Sequence, residues 1–294
     1  MPQYLIYSII GIFLAGVFNI LSNTFTQKSK NQVAFSFIFN VISASLVLIL
    51  TIIFTRSIPL PIIPRNKLLL LIPLITALLY GLTEKLRFFV AKQIPPSSVQ
   101  ILGSLQYIVS IPLAYFLYND STISIYKTIG ILLILSANFL SNYNAPKQHV
   151  KKKTFKKIYF LAILMTIFYG TAGALDKLGS TTVGISFYNL WVWLAPLPII
   201  GLLPTIKIKQ IMQEIKNVAI FKFIILATFN ITFYWLYLLA LKTGPSVNVI
   251  ILFSLTNIIT FILESVWLKN YIRNKKLQLL LVLISTTGVI LVVR

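Results

Sequence analysis

Apolar runs long enough to cross a lipid bilayer follow one another along almost the whole chain. A transmembrane helix needs about 20 mostly apolar residues. The pattern contains ten such runs, at residues 4–25, 33–54, 68–92, 97–118, 124–142, 158–176, 185–206, 219–242, 246–268 and 276–293. Backbone groups in lipid must be satisfied within the segment, and the runs lack the alternation of barrel strands. We therefore predict an all-α membrane protein with ten transmembrane helices.

A lysine-rich stretch divides these runs into two sets of five. A shift of about 150 residues aligns the halves, placing Ser36-Phe37 on Ser186-Phe187 and Lys92 on Lys242. Because five is an odd number, two such copies joined directly must lie in opposite orientations. We predict two inverted five-helix repeats, at residues 1–146 and 158–294, joined by a basic linker at 147–157.

The composition limits the chemistry that the chain can carry. Hydrophobic residues make up 57% and charged residues 11%, whereas a soluble domain has roughly 25% charged residues. Cysteine is absent, which excludes disulfides and thiolate metal sites. His149 is the single histidine, which argues strongly against histidine metal cages and against Ser-His or Cys-His catalysis. No glycine-rich phosphate-binding loop precedes a helix. We predict a protein that is not an enzyme and that holds no cofactor and no metal.

The charge is strongly basic, with 26 Lys and Arg against five Asp and Glu. Such a balance can indicate nucleic-acid binding, but most of these cations flank apolar runs, as in membrane proteins. We therefore expect the partners to be the lipid bilayer and a small-molecule substrate, with no nucleic acid, and a monomer or homodimer in the cytoplasmic membrane. Nineteen cations lie on the side of the odd-numbered loops and seven on the other. The positive-inside rule then predicts a cytoplasmic linker and external termini.

The order of features in each half resembles a known family. A third run ending in lysine leads into a proline-marked start of the fourth, at residues 91–98 and 240–246. The turns at residues 118–120 and 268–270 follow the fourth run of each half. In this order the chain resembles the drug/metabolite transporter superfamily, in its EamA-like branch, with Asp120 and Asn270 where the family usually has Glu. The resemblance implies an inverted-repeat fold, a central cavity and the export or exchange of metabolites. It also implies cytoplasmic termini, which the charge count opposes.

Three charged residues inside the third run are the strongest candidates for ligand binding: Glu84, Lys85 and Arg87. Charged residues within a span normally face protein or water, and Glu84 and Arg87 share a helix face on which they can pair. The repeat offset places Tyr234 and Tyr237 opposite them. These groups favour an anionic or zwitterionic ligand. Two alternatives are that the third span ends near Leu82, leaving the charges interfacial, and that the Glu84–Arg87 pair is purely structural.

Polar residues on the faces of other predicted helices extend this set. They are Asn19, Gln100, Tyr107 and Asn257, and we predict that they line a cavity formed by spans 1, 3, 4, 6, 8 and 9. Small residues on the same faces are typical of close helix packing.

Two acidic residues receive separate interpretations. Glu264 shares a face with Asn257 and Thr260, and it is a candidate for proton coupling or, alternatively, an interfacial residue near the helix end. Asp176 and Lys177 are interpreted as an ion pair at the end of the sixth helix, because Gly179-Ser180-Thr181 follows at once.

These features together favour a secondary transporter. It would move small polar metabolites, amino acids or organic anions, by alternating access, either coupled to protons or by exchange. The alternatives are a lipid-linked flippase-like protein or membrane enzyme subunit, and a scaffold that transports nothing. An enzyme should cluster acids or histidines in its interfacial loops, and five acids with one histidine offer little for that.

Overall fold

The protein is helical throughout the part of the chain that the structure describes. The computed structural model describes residues 1–93, 96–119, 124–143, 152–202, 206–267 and, with gaps at 282, 285 and 289, 280–291. For some of these residues, including Gln100 and Glu264, only the backbone is described. No β-strand occurs within these ranges, so the prediction of an all-α protein is confirmed.

Twelve α-helices are described. They are α1 (Gln3–Thr26), α2 (Gln32–Thr55), α3 (Leu71–Gln93), α4 (Pro96–Tyr118), α5 (Ile125–Tyr143), α6 (Lys152–Val183), α7 (Ile185–Leu194), α8 (Leu197–Leu202), α9 (Ile208–Val218), α10 (Ile220–Thr243), α11 (Ser246–Ser254) and α12 (Thr256–Trp267). Five described segments are long and apolar enough to cross a membrane, Gln3–Thr26, Gln32–Phe54, Lys67–Arg87, Phe160–Val183 and Ile220–Thr243. The chain is therefore an all-α membrane protein, while the count of ten spans stays a prediction.

Several helices differ from the predicted runs. The run at 185–206 divides into α7 and α8 around Pro196, which has no N–H for the helical ladder. The run at 246–268 divides at Leu255 into α11 and α12. The sixth helix was predicted to end at residue 176, but α6 continues to Val183. The structure also contains α9, which the hydropathy pattern did not predict.

The faces of α1 show why the helices pack as they do. Ile6, Ile9 and Phe13 are exposed on one side, whereas Ser8 and Ile12 are buried on the other. An exposed apolar face of this kind suits a lipid environment, where apolar side chains need no cover from water. The inner face carries the polar and small residues that line the interior.

Hydrogen bonds at the helix ends show that α1 and α6 run in opposite directions. Lys30 and Asn31 lie between the end of α1 and the start of α2. Their backbone N–H groups donate to the carboxylate of Glu214 on α9. At the other end of α2, the Ile62 N–H donates to the carbonyl of Val183, the last residue of α6. The C-terminal ends of α1 and α6 therefore lie at opposite ends of α2, as expected for inverted repeats.

The packing of the helices also follows the repeat. The most extensive packing is of α1 against α10, the eighth span, and of α3, the third span, against α6. Under the repeat offset the first span corresponds to the sixth and the third span to the eighth. The pair of α1 and α10 therefore corresponds to the pair of α6 and α3. Each half therefore packs mainly against the other, and the arrangement as two inverted repeats stays a prediction.

Candidate functional site

A cavity of about 170 Å³ lies in the centre of the helical bundle. Its lining comes from α1, α3, α4, α6, α10, α11 and α12, which correspond to predicted spans 1, 3, 4, 6, 8 and 9. The lining combines apolar and aromatic side chains with convergent polar groups. The polar and charged members are Asn19, Tyr80, Thr83, Arg87, Gln106, Tyr107, Ser110, Thr166, Tyr169, Asp176, Tyr234, Tyr237, Thr256 and Asn257. Such a combination is typical of small-molecule sites.

Arg87 supplies the positive charge at this cavity. Its Nη1 donates to the Glu84 carboxylate at 2.9 Å, and its guanidinium lies 4.5 Å from the centre of the Phe18 ring. The side chain of Arg87 remains 17% exposed, whereas that of Glu84 is 4% exposed. The guanidinium has five N–H donors in a planar fork, a geometry that suits carboxylate and other anionic groups.

A buried carboxylate lies on the same cavity. Asp176 is fully buried in α6, and it accepts hydrogen bonds from the hydroxyls of Tyr80 (2.6 Å), Tyr188 (2.7 Å) and Tyr234 (3.0 Å). We call these four residues the Asp176 cluster. The tyrosines come from α3, α7 and α10, so one carboxylate connects four helices. The described partners of this carboxylate are neutral phenols.

The connection between α6 and α7 explains how Tyr188 reaches Asp176. Gly184 alone separates the two helices, and its φ of 87° is a conformation that suits glycine. The chain reverses there, and α7 folds back along α6. Gly179 then leaves room for the Tyr188 ring, because a Cβ at that position would overlap with the ring carbons.

Buried polar atoms on the cavity remain available to a ligand. The Nδ2 of Asn257 and the Oγ of Ser110 are buried and have no hydrogen-bond partner among the described residues. Buried polar groups are normally hydrogen-bonded, so these atoms suit a ligand or water. Other cavity groups are already engaged: the Asn19 amide donates to Thr260, and the Tyr107 and Tyr237 hydroxyls donate to backbone carbonyls.

Comparison with known proteins shows what the chain is similar to. Residues 156–294 match the model of the EamA-like transporter family. A solved chain described as "Crystal structure of protein" has the same fold over 99% of this chain and 95% of that chain, with a TM-score of 0.71 at 12% sequence identity. The family match covers the second half of the chain, and the solved structure shows that the fold is shared over nearly its whole length. A search of curated proteins gave no match.

The structure brings together six of the residues predicted for the site. Asn19, Arg87, Tyr107, Tyr234, Tyr237 and Asn257 all line the central cavity. Glu84 lies instead at a smaller adjoining cavity, where Arg87 also contributes. Lys85 is half-buried and is not among the residues that line either cavity. The side chains of Gln100 and Glu264 lie outside the described residues.

The prediction for Asp176 was wrong. We expected an ion pair with Lys177 at a helix end, but α6 continues for seven residues beyond Asp176, and the carboxylate accepts from three tyrosines. The side chain of Lys177 instead donates to the Gly244 carbonyl at 3.4 Å. The spacing of Tyr169, Gly173 and Asp176 was a usable signal, because residues four and seven apart share a helix face.

Proposed function

We propose that this protein is a membrane transporter, as its similarity to the EamA-like family suggests, and that it carries a small polar metabolite with an anionic group, such as an amino acid or an organic anion, through the central cavity by alternating access. The observation that supports the proposal most directly is the position of Arg87, a half-buried cation on a cavity that combines apolar, aromatic and polar side chains. In a membrane interior a charged residue is costly, and it normally marks a substrate or ion pathway.

The size and lining of the cavity support a small ligand. A cavity of roughly 150 Å³ holds a molecule such as benzene, so about 170 Å³ suits a small metabolite. Arg87 would hold the anionic group. Tyr107, Tyr234 and Tyr237 would contact the organic body, and Asn257 would supply a free amide donor. Because Lys85 does not line the cavity, we assign the cationic role to Arg87.

Transport can be tested with purified protein in liposomes. The vesicles are loaded with unlabelled solute, and the exchange of the radiolabelled form is measured for a panel of neutral amino acids and small carboxylates. We expect exchange by the wild type, and a loss of roughly 10- to 100-fold in Arg87→Gln because a charge-assisted hydrogen bond is lost. Arg65→Gln removes an exposed arginine in the loop after α2 and should leave exchange unchanged.

A double variant separates a binding role from a purely structural one. Glu84→Gln with Arg87→Gln removes both charges of the pair, so no buried charge is left without its partner. We expect this variant to insert and unfold like the wild type but to exchange nothing. Exchange at the wild-type rate by the well-folded double variant would remove Arg87 from the proposed site.

A further inference from the structure

The Asp176 cluster is chemically distinct from the rest of the cavity. Burial of a carboxylate in a low-dielectric interior is expensive unless it is paired or well hydrogen-bonded. Here two phenol hydroxyls donate to Oδ1, those of Tyr188 and Tyr234, and the Tyr80 hydroxyl donates to Oδ2. These three donors favour the ionised form, and burial opposes it. The state of charge therefore depends on a balance that a proton can shift.

The charges around Asp176 have partners of their own. Arg87 pairs with Glu84 on α3, and Lys177 donates to the Gly244 carbonyl. The titratable or charged groups that face the carboxylate or lie close to it are Tyr80, Glu84 and Arg87 on α3, Tyr107 and Tyr118 on α4, Tyr169 and Lys177 on α6, Tyr188 on α7, and Tyr234 and Tyr237 on α10. The direct partners of Asp176 are thus hydroxyl donors.

We propose that Asp176 is the proton-binding group of this transporter, and that its protonation loosens the contact of α6 with α3, α7 and α10. The proposal rests on the transport function proposed above, and it adds the coupling ion and the residue that binds it. A proton from water in the cavity adds to a carboxylate oxygen, and it returns to water when the cavity opens to the other side of the membrane.

The effect of the proton follows from the hydrogen bonds. Protonation of Oδ2 converts an acceptor into a donor, so the Tyr80 hydroxyl must rotate or leave. Protonation of Oδ1 places one O–H where two hydroxyls donate, so Tyr188 or Tyr234 must rotate to accept from it and the other must share the remaining lone pair. Hydrogen bonds to a charged acceptor are roughly twice as strong as those to a neutral one, so the remaining bonds weaken too. Because Tyr80 belongs to the first half and Asp176 to the second, the proton acts on the contact between halves.

Glu264 remains a rival for this role. It was the candidate predicted from the sequence, on α12, and its side chain lies outside the described residues. Glu264→Gln is therefore a necessary companion to Asp176→Asn in every measurement. A pH response that disappears in Glu264→Gln and persists in Asp176→Asn would transfer the role to Glu264 and overturn the proposal.

The first test needs no substrate. The chain has no cysteine, so Ser110→Cys places a single thiol on the cavity, and Gln27→Cys places one at the exposed end of α1. Both thiols are labelled with a membrane-impermeant reagent at a series of pH values from mildly alkaline to acidic. The measured quantity is the labelling rate of the cavity thiol divided by that of the exposed thiol. We expect a several-fold change in this ratio with Asp176 present and a flat ratio with Asp176→Asn. A flat ratio with Asp176 present, or an unchanged pH response in Asp176→Asn, would overturn the proposal.

Two tyrosine variants keep the test decisive if Asp176→Asn folds poorly. Tyr80→Phe removes a donor from the carboxylate, which makes the charged form less stable, so the midpoint of the response should move to higher pH. Tyr118→Phe is the matched control, because its hydroxyl donates to the Ala174 carbonyl of α6 and not to the carboxylate. Its midpoint should stay in place. Equal shifts in the two variants would indicate a general packing effect and would count against Asp176.

A second test separates coupling from transport itself. In liposomes, the wild type should accumulate a radiolabelled amino acid or carboxylate under a pH gradient, whereas Asp176→Asn should show no accumulation at whatever exchange rate it retains. Accumulation equal to the wild type would overturn the proton-binding role and leave the transport proposal standing. An absence of exchange by the wild type for every solute of the panel would count against the proposed function, while the cysteine result would stand independently.

Discussion

Arg87 has three neighbours of different chemistry: the Glu84 carboxylate, the Phe18 ring and the central cavity. The aromatic face attracts the cation, and the carboxylate fixes the direction of the guanidinium. A charged group held on two sides in this way is oriented before any ligand arrives. The cost of ordering the side chain on binding is therefore reduced.

The pair of Glu84 and Arg87 has a testable effect on stability. Removal of one partner of a buried ion pair costs about 3–5 kcal/mol, because the other charge is left uncompensated. We expect Glu84→Ala and Arg87→Ala each to lower the melting temperature in detergent clearly. Arg87→Ala should have the larger effect, because it leaves the more deeply buried Glu84 carboxylate without its partner. The double variant should recover part of the loss. A double variant less stable than either single one would show that the pair does not interact as described.

How well the position of a single residue could be predicted depended on the helix that carries it. Asn19, Tyr107 and Asn257 were predicted to line the cavity, and they do, because a polar side chain on an apolar helix is costly in lipid and therefore faces the protein interior. Asp176 was misplaced because Gly179-Ser180-Thr181 has the composition of a turn. In the structure Gly179 instead makes room for Tyr188, a contact between distant side chains that local composition does not encode.

At the scale of the helices, the packing of α4 against α6 depends on one glycine. A Cβ at Gly170 would lie 2.5 Å from the Gln106 carbonyl oxygen, which is backbone and cannot move aside cheaply. Overpacking typically costs about 1–3 kcal/mol, so Gly170→Ala should lower the melting temperature. Gly173→Ala is the matched control on the same helix, because its Cβ would meet only the Tyr237 hydroxyl at 3.7 Å. Equal losses in the two variants would contradict this account.

A second helix-scale prediction concerns α9. Its buried Glu214 accepts from the backbone N–H groups of Lys30 and Asn31, just before α2 begins. Glu214→Ala leaves these groups without that acceptor, at a cost of about 1–3 kcal/mol for each group that stays unsatisfied. We expect a lower melting temperature in detergent. Gln213→Ala alters the exposed neighbour and should have little effect. A stable Glu214→Ala variant would show that water replaces the carboxylate.

The helices themselves were predicted unevenly for a physical reason. Hydropathy finds long apolar runs, so α1, α2, α3 and α10 match their predicted ranges closely. The break at Leu255 lies beside Ser254, Thr256 and Asn257, but the average hydropathy of the 246–268 run stays high, so the run was predicted as one helix. The amphipathic α9 was missed because its polar residues resemble a loop in a hydropathy profile, although its buried face includes Glu214 and Val218.

At the scale of the whole molecule, orientation in the membrane is open to a direct test. The α1–α2 loop and α9 meet at one end of the bundle through Glu214, and both carry lysines, as expected for odd-numbered loops. We predict that this end and the linker face the cytoplasm. A cysteine at Gln148 should then resist an impermeant reagent added outside intact cells, whereas Leu60→Cys in the exposed loop after α2 should react. The reverse pattern would support the orientation that the family resemblance implies.

The packing of each half mainly against the other has a consequence for how the protein is made. The chain leaves the ribosome from its N-terminal end, so α1 and α3 enter the membrane before α10 and α6, their main partners, exist. Until then Asn19, Glu84 and Arg87 have no second half to cover them. The inserted first half must therefore be held by the insertion machinery, or by lipid at some energetic cost, until synthesis is nearly complete. A messenger truncated after the linker should yield a product that is degraded rather than a working half-transporter.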